Sequence, residues 1–236
     1  MIGIVVPAHD EEATIRACLA ATRRASLHPA LAGEKVETIV VLDACTDATG
    51  VVAACCDALT VTIRARNVGM ARAVGAEALL ARGARWLAFT DADTLVSEDW
   101  LAAQLALQTE VVCGTVSVAD WSPHGGNAGL LAAHFGATYA DREGHRHVHG
   151  ANLGVSAAAY RRAGGFRHLA CSEDVALVRA LADAGCSIAW SALPRVVTSA
   201  RTDARAEGGF ATALLHAVAQ RLAEAAGGPS GAAAVA

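Results

Sequence analysis

Asp91 and Asp93 flank one small residue, Ala92, directly after the apolar run from Trp86 to Thr90. Residues two apart on an extended segment point to the same side, so both carboxylates face one way with no bulk between them. Two such anions repel unless a cation sits against them. Hard divalent cations take oxygen ligands, and magnesium is usually held by one or two carboxylates together with substrate phosphates. The pair is therefore a candidate site for Mg2+ or Mn2+ bearing a phosphorylated ligand. The same residues would also make a plain acidic turn, and the position after a buried strand is what favours the metal.

Further along the chain, Glu173-Asp174 opens the helical pattern from Ser172 to Ala184. A carboxylate there can act as a general base toward a hydroxyl, or can merely favour the positive end of a helix dipole. His145, His147 and His149 alternate, which places them on one face of an extended segment in a metal-ligand arrangement. Spacing marks no additional ligand beside them. His149, next to Gly150 and Asn152, is expected to bind, with the other two histidines exposed. Arg201 and Arg205 are spaced to clamp a diphosphate bidentately, and a solvated helix turn is the competing reading. Taken alone, Arg72 reads as an exposed helical arginine.

These residues need elements to hold them. Short apolar or β-branched runs predict strands at Ile2 to Val6, Glu37 to Leu42, Leu59 to Arg64 and Trp86 to Thr90. Helical spacing predicts helices at Asp10 to Arg24, Thr46 to Cys56 and Gly69 to Arg82, and Ser97 is expected to cap another. This alternation predicts an α/β fold of Rossmann-like type, a mostly parallel sheet with helices on both faces. In such sheets ligands bind outside the carboxyl ends of the strands. The four exits are all polar: Pro7 to Glu12, Asp43 to Asp47, Arg64 to Asn67, and Asp91 to Asp93.

Past residue 110 the pattern is less regular. A strand is expected at Glu110 to Val118, a loop at Asp120 to Gly126 and a helix at Asn127 to Tyr139. His147 to Ser156 reads as extended, Ala157 to Gly164 as helix, Ser187 to Trp190 as strand, and Gly208 to Ala225 as a last amphipathic helix. The expected organisation is one domain over 1–225, with a ligand half at 1–118 and an irregular half at 119–225, followed by a flexible tail at 226–236.

Composition bounds the class. With 54% hydrophobic and 18% charged residues the chain is a globular protein, and its abundant alanine predicts close helix packing. A net charge of -4 provides no footprint for nucleic acid. Seven cysteines without a CxxC pair read as reduced thiols of a cytoplasmic protein. Met1 runs directly into Ile-Gly-Ile-Val-Val, which reads as a first strand and not a signal peptide. No stretch approaches the roughly 20 apolar residues of a membrane span, which still allows a peripheral place at a membrane surface.

Four segments, IGIVVPAHDEEATI, VVLDACTDATG, RNVGMARAVGAEALL and WLAFTDADTLVSEDWL, in this order and spacing, resemble family-2 glycosyltransferases of GT-A fold, over Ile2 to Phe210. The resemblance implies that Pro7, Ala8, Glu11 and Asp43 hold the base and ribose of a UDP- or GDP-type sugar donor. It implies that Arg72 lies near the base or phosphates, with Asn67 and Gly69 shaping the turn before it. Asp91 would then face the ribose, and Asp93 the metal that bridges the diphosphate. The family's usual Asn-Glu-Glu is Asp10-Glu11-Glu12 here, and its usual Asp-Asp-Gly-Ser is Leu42-Asp43-Ala44-Cys45. HVHGANLGVSAAAYRRAGGF followed by CSEDVALVRALADAG is similar to the family's acceptor region, so Asp174, with Glu173 beside it, would be the base of an inverting transfer to a hydroxyl acceptor.

Three other classes fit the sequence less well. A sugar-nucleotide nucleotidyltransferase opens with a Gly-rich, basic loop after its first strand, where this chain has acidic His9-Asp10-Glu11-Glu12. A dinucleotide-binding Rossmann protein needs G-x-G-x-x-G at that place, and Pro7 to Glu12 contains no glycine. A non-catalytic sugar-nucleotide-binding protein has no need to keep Asp91, Asp93 and Asp174 together.

Overall fold

Four of the β-branched runs form parallel strands, as their two-sided hydrophobicity requires. In a computed structural model, which describes residues 1–202, these are β1 (Ile2–Ala8), β2 (Val36–Asp43), β3 (Leu59–Ile63) and β4 (Trp86–Phe89). Then follow β5 (Leu95–Val96), β6 (Val111–Gly114), β7 (Ser117–Val118), β8 (Leu153–Ser156), β9 (Ile188–Ser191) and β10 (Val196–Thr198). The helices are α1 (Ile15–Ser26), α2 (Thr49–Ala54), α3 (Val68–Ala81), α4 (Trp100–Ala106), α5 (Ala128–Thr138), α6 (Ala157–Arg162) and α7 (Glu173–Asp183).

The main sheet has seven strands in the order β3-β2-β1-β4-β8-β6-β9, and β5, β10 and β7 form a small second one. Only β8 runs antiparallel to its neighbours in the main sheet, pairing with β4 and β6. Strand order reverses between β1 and β4, where the chain has built outward through β2 and β3 and returns to the other side of β1. That reversal is the topological switch point at which α/β sheets place ligands. The alanine- and glycine-rich α3 lies close against the sheet. A Cβ on Gly75 would come within 2.6 Å of Val5 and 3.0 Å of Val41, so only glycine permits this approach.

The acidic run after β1 does not start a helix. Asp10 takes a left-handed backbone (φ 52°), and α1 begins at Ile15 instead of Asp10. The reason is long-range, because the polar groups of residues 10–12 bind the loop after β2 (below). That loop in turn shortens the second helix to Thr49–Ala54. The predicted strand Glu110 to Val118 breaks into β6 and β7, in different sheets. Gly114 lies under the Asn152 side chain, which also takes the carbonyl of Thr115 at 2.7 Å and so removes it from a ladder. His147 to Ser156 is a strand only from Leu153, after a 3-10 turn at Gly150–Asn152. Ser97 does not cap α4; its hydroxyl donates to Asp99 Oδ1 at 2.6 Å.

Met1–Ala119 and Ala140–Ser199 form one compact unit, and Asp120–Tyr139 belongs to a second that also takes the chain from Ala200. Within Asp120–Tyr139, Phe135 stacks on Tyr139 at 4.5 Å and meets Trp121 at 5.5 Å. The predicted last helix, the tail and Arg205 lie outside the described residues. All seven cysteines are free thiols. No helix among the described residues is long and apolar enough to cross a membrane.

Candidate active site

The exits of β1 and β2 are laced together by the acidic run. Asp10 Oδ1 accepts the Thr46 amide at 2.6 Å, Glu12 Oε2 accepts the Ala48 amide at 2.9 Å, and the Glu12 amide donates to Asp47 at 3.0 Å. The Glu11 amide donates to the Thr49 hydroxyl at 2.7 Å, while the Glu11 carboxylate is buried and accepts from Thr14. The Thr46 amide is the largest cause holding the Asp10 carboxyl below its usual range. Pro7 and Ala8 close β1 beside this lacing, and His9 Nδ1 lies 2.7 Å from the Asp43 carbonyl oxygen.

Asp43, at the end of β2, is buried and accepts three amides. Ala65 and Arg66 reach Oδ1 at 2.7 and 2.8 Å, and Asn67 reaches Oδ2 at 2.7 Å. The side chain expected to bind the base thus also has a structural role of its own. Most of its lone-pair capacity goes to holding the turn after β3, including the left-handed Arg66 (φ 46°). Asn67 then caps α3, its Oδ1 accepting from Met70 at 2.8 Å, while its Nδ2 donates to the His168 carbonyl at 3.1 Å. Gly69 continues this contact. Its amide donates to Leu169 at 3.1 Å, and a Cβ there would sit 2.3 Å from the Arg167 oxygen. The start of α3 is thus pinned to the segment that leads into α7.

Arg72, one turn into α3, is not the exposed arginine that its local pattern implies: it is 4% exposed. Its guanidinium donates from Nη1 to Glu173 Oε1 and from Nη2 to Asp91 Oδ1 at 2.5 Å. Gly150 lies flat on the guanidinium, and the Phe166 ring centroid is 5.9 Å from Cζ. The Gly150 amide donates to Asp174 Oδ2 at 2.7 Å, and Oδ1 accepts the Val175 amide at 2.8 Å. Asp91 therefore meets this buried cation directly, and Asp174 is tied to it through Gly150. Glu173 is buried in its pair with Arg72, whereas Asp174 beside it is only half-buried. Gly150 and Phe166 carried no sequence signal of this duty, since the register that brings them to Arg72 is set only by the fold.

Asn152 departs from its expected binding role. It is fully buried, accepts from Trp100 Nε1 at 2.9 Å, and donates to Thr115 and Pro194 carbonyls at 2.7 and 2.9 Å. With all these groups satisfied it braces the core behind the site. The three histidines do share a face, their rings stacked at 5.6 and 6.0 Å. Contrary to expectation His145 is buried, edge-on to Trp190 at 5.9 Å. His145 Nδ1 accepts from the His147 amide at 3.1 Å and His147 Nε2 from the Ala140 amide at 3.1 Å, which turns a nitrogen of each ring toward backbone. Burial is the main cause that pushes His149 down to about 4, against the opposing pull of Asp174. Arg201 is partly buried and belongs to the second unit.

Asp91 and Asp93 offer hard oxygen donors, and Asp93 is partly exposed while Ala92 is buried between them. No third protein ligand joins them, because among the described residues the one group of three close ligand atoms is Asp10, Cys45 and Asp47. A pair of carboxylates fits a divalent cation that completes its shell with phosphate oxygens. Asp10, Cys45 and Asp47 fit poorly, since their carboxylates already accept amides and burial raises the Cys45 thiol.

The fold is that of known nucleotide-sugar enzymes. A mannosyltransferase from Pyrobaculum calidifontis, solved with GDP-Man and Mn2+, superposes with a TM-score of 0.62 at 20% identity, over 97% of this chain and 76% of that one. Glucosyl-3-phosphoglycerate synthase from Mycobacterium tuberculosis, solved with Mn2+, UDP and glucosyl-3-phosphoglycerate, gives 0.57 at 19% identity, over 85% and 72%. TarS from S. aureus, residues 1-349 with UDP, gives 0.56 at 14% identity, over 85% and 61%. Comparison with curated protein sequences found no match. The family model described as glycosyl transferase family 2 matches residues 3–163, which span every strand exit described above. The chain belongs to glycosyl transferase family 2.

Proposed function

We propose that the chain transfers a sugar from a UDP- or GDP-type donor to an acceptor hydroxyl, with inversion at the anomeric carbon and with Mg2+ or Mn2+ at Asp91 and Asp93. The observation that carries this reading is that Asp91 and Asp174 both gather at the Arg72 guanidinium, Asp91 by a direct ion pair and Asp174 through the Gly150 amide. A donor-side carboxylate and an acceptor-side carboxylate are thereby held near one another. The donor classes follow from the similar structures, which hold GDP-Man, UDP and UDP-GlcNAc.

Asp174 accepts one amide on each oxygen, which leaves lone pairs for a hydroxyl. In the proposed step, the acceptor hydroxyl passes its proton to Asp174 while its oxygen bonds to the anomeric carbon. The bond from that carbon to the diphosphate oxygen breaks on the opposite face, and its electron pair leaves with the diphosphate. The cation, when bound, offsets the charge on the departing diphosphate as a Lewis acid. Pro7, Ala8 and Glu11 line the donor end beside the Asp43-built turn.

Calorimetric titration with UDP and GDP, with and without Mn2+, tests the donor half. Metal-dependent binding of one nucleotide is expected, and its absence for both sinks the reading. The configuration of the transferred sugar, read by NMR, tests inversion.

A further inference from the structure

We infer that Arg72 is a positioning residue that holds the donor carboxylate and the base in register, and that it does so without touching the donor. This rests on the transferase reading above. The family resemblance had placed Arg72 near the base or phosphates, and the geometry points elsewhere.

The guanidinium is closely enclosed by its neighbours. Nη1 is given to Glu173 and Nη2 to Asp91, and Gly150 covers one face so closely that a Cβ would fall 2.2 Å from Nη1. Phe166 stands 5.9 Å away, and Nε is buried without a hydrogen-bond partner among the described residues. With the side chain 5% exposed, the guanidinium has almost no surface left for a phosphate.

The carboxylates explain why a cation is required there. Glu173 is equally buried, at 5%, and would be an uncompensated anion without its partner. Asp91 would repel Glu173 across the same gap. A planar fork satisfies both at fixed angles, whereas a lysine ammonium is a point charge that holds one geometry loosely. The fork also sets Asp174. Glu173 precedes it in the first turn of α7, and Gly150, seated on the guanidinium, donates the amide that fixes Asp174 Oδ2 at 2.7 Å. A shift of the fork therefore moves Asp91 and Asp174 together.

The test compares Arg72→Lys, Glu173→Gln and the double variant with wild type in three measurements. These are Kd for UDP and GDP with Mn2+ by calorimetry, donor KM and kcat for nucleotide diphosphate release from UDP-GlcNAc and GDP-Man, and the melting temperature. If wild type binds neither nucleotide, the transferase reading falls and this inference with it. If wild type binds, each single variant is expected to lower kcat about a hundredfold while Kd and KM stay within about threefold. The double variant should cost no more than the worse single one, since both break one unit. The inference alone is overturned if Arg72→Lys weakens nucleotide binding tenfold or more while Glu173→Gln keeps wild-type kcat, because Arg72 would then be a donor ligand. A lowered melting temperature with unchanged kcat overturns it too, as a purely structural pair. Should Arg72→Lys fail to fold, Glu173→Gln decides, since it keeps volume and an acceptor oxygen: unchanged kcat overturns the inference, and a hundredfold loss at constant Kd supports it.

Discussion

Gly150 and Asp174 are joined by a 2.7 Å hydrogen bond from backbone amide to carboxylate, and the same glycine rests on the buried Arg72 guanidinium. A chain reversal before β8 and the first turn of α7 thus meet over one side chain of α3. Gly150→Ala would put a methyl 2.2 to 2.3 Å from three guanidinium atoms that two carboxylates hold in place. Overpacking of this kind costs about 1–3 kcal/mol. Thermal denaturation is expected to show that loss, whereas Gly126→Ala, which has open space around it, should melt near wild type.

Asp174→Asn keeps the shape of the side chain and removes the proton acceptor. Nucleotide affinity with Mn2+ is expected to stay unchanged, while turnover drops by about 10²- to 10⁴-fold. Turnover at the wild-type level would place the base elsewhere.

Asp93→Ala removes a partly exposed carboxylate just after β4. It should abolish the metal-dependent part of nucleotide binding in calorimetry. Metal-dependent binding that survives intact would rule out Asp93 as ligand.

Asp43→Asn replaces a buried carboxylate that accepts three amides with a side chain that presents only one carbonyl oxygen. Losing charge-assisted bonds costs about 1.5–3 kcal/mol each at most, with partial relaxation of the turn. Urea denaturation should show a clear loss of stability, and Asn67→Ala should show a smaller one of about 1 kcal/mol from the missing cap.

His149 supplies a pH dependence of stability. Its folded pKa, about 4, lies below its ordinary 6.5, chiefly through burial and despite Asp174 and Asp91, with His147 and His145 opposing its charge as well. Between those values the unfolded chain binds the proton more readily. The contribution is therefore complete above pH 6.5 and is lost as pH falls from 6.5 through 4. The stability difference between wild type and His149→Gln, measured by urea denaturation at several pH values, should change across that window. A pH-independent difference would contradict it.

Local pattern alone determined the four parallel strands and their polar exits, because two-sided burial imprints continuous apolar runs and because ligands gather at strand ends. Asp91-Ala92-Asp93 and Glu173-Asp174 were legible for the same reason. Position after a strand, or at the start of a helix, is a short-range property. The acidic run after β1 shows where this fails. Asp10, Glu11 and Glu12 suit a helix start by themselves, and contacts 35 to 37 residues away, to Asp47, Thr46 and Ala48, turn them into a clamp instead.

What the tertiary structure decided is which polar residues are spent on the fold and which remain for chemistry. Asn152 and Asp43 look like binding residues in the sequence, yet their capacity goes to Trp100, Thr115 and Pro194, and to the amides of residues 65–67. Glu173 and Asp174 are adjacent and chemically alike, but only one faces Arg72. Successive residues of a helix point about 100° apart, so packing of α7 against α3 buries Glu173 with the arginine and leaves Asp174 half-buried. A sequence records that both carboxylates are present. The direction in which each one points depends on a helix packed 101 residues away in the chain, and that is a property of the folded core.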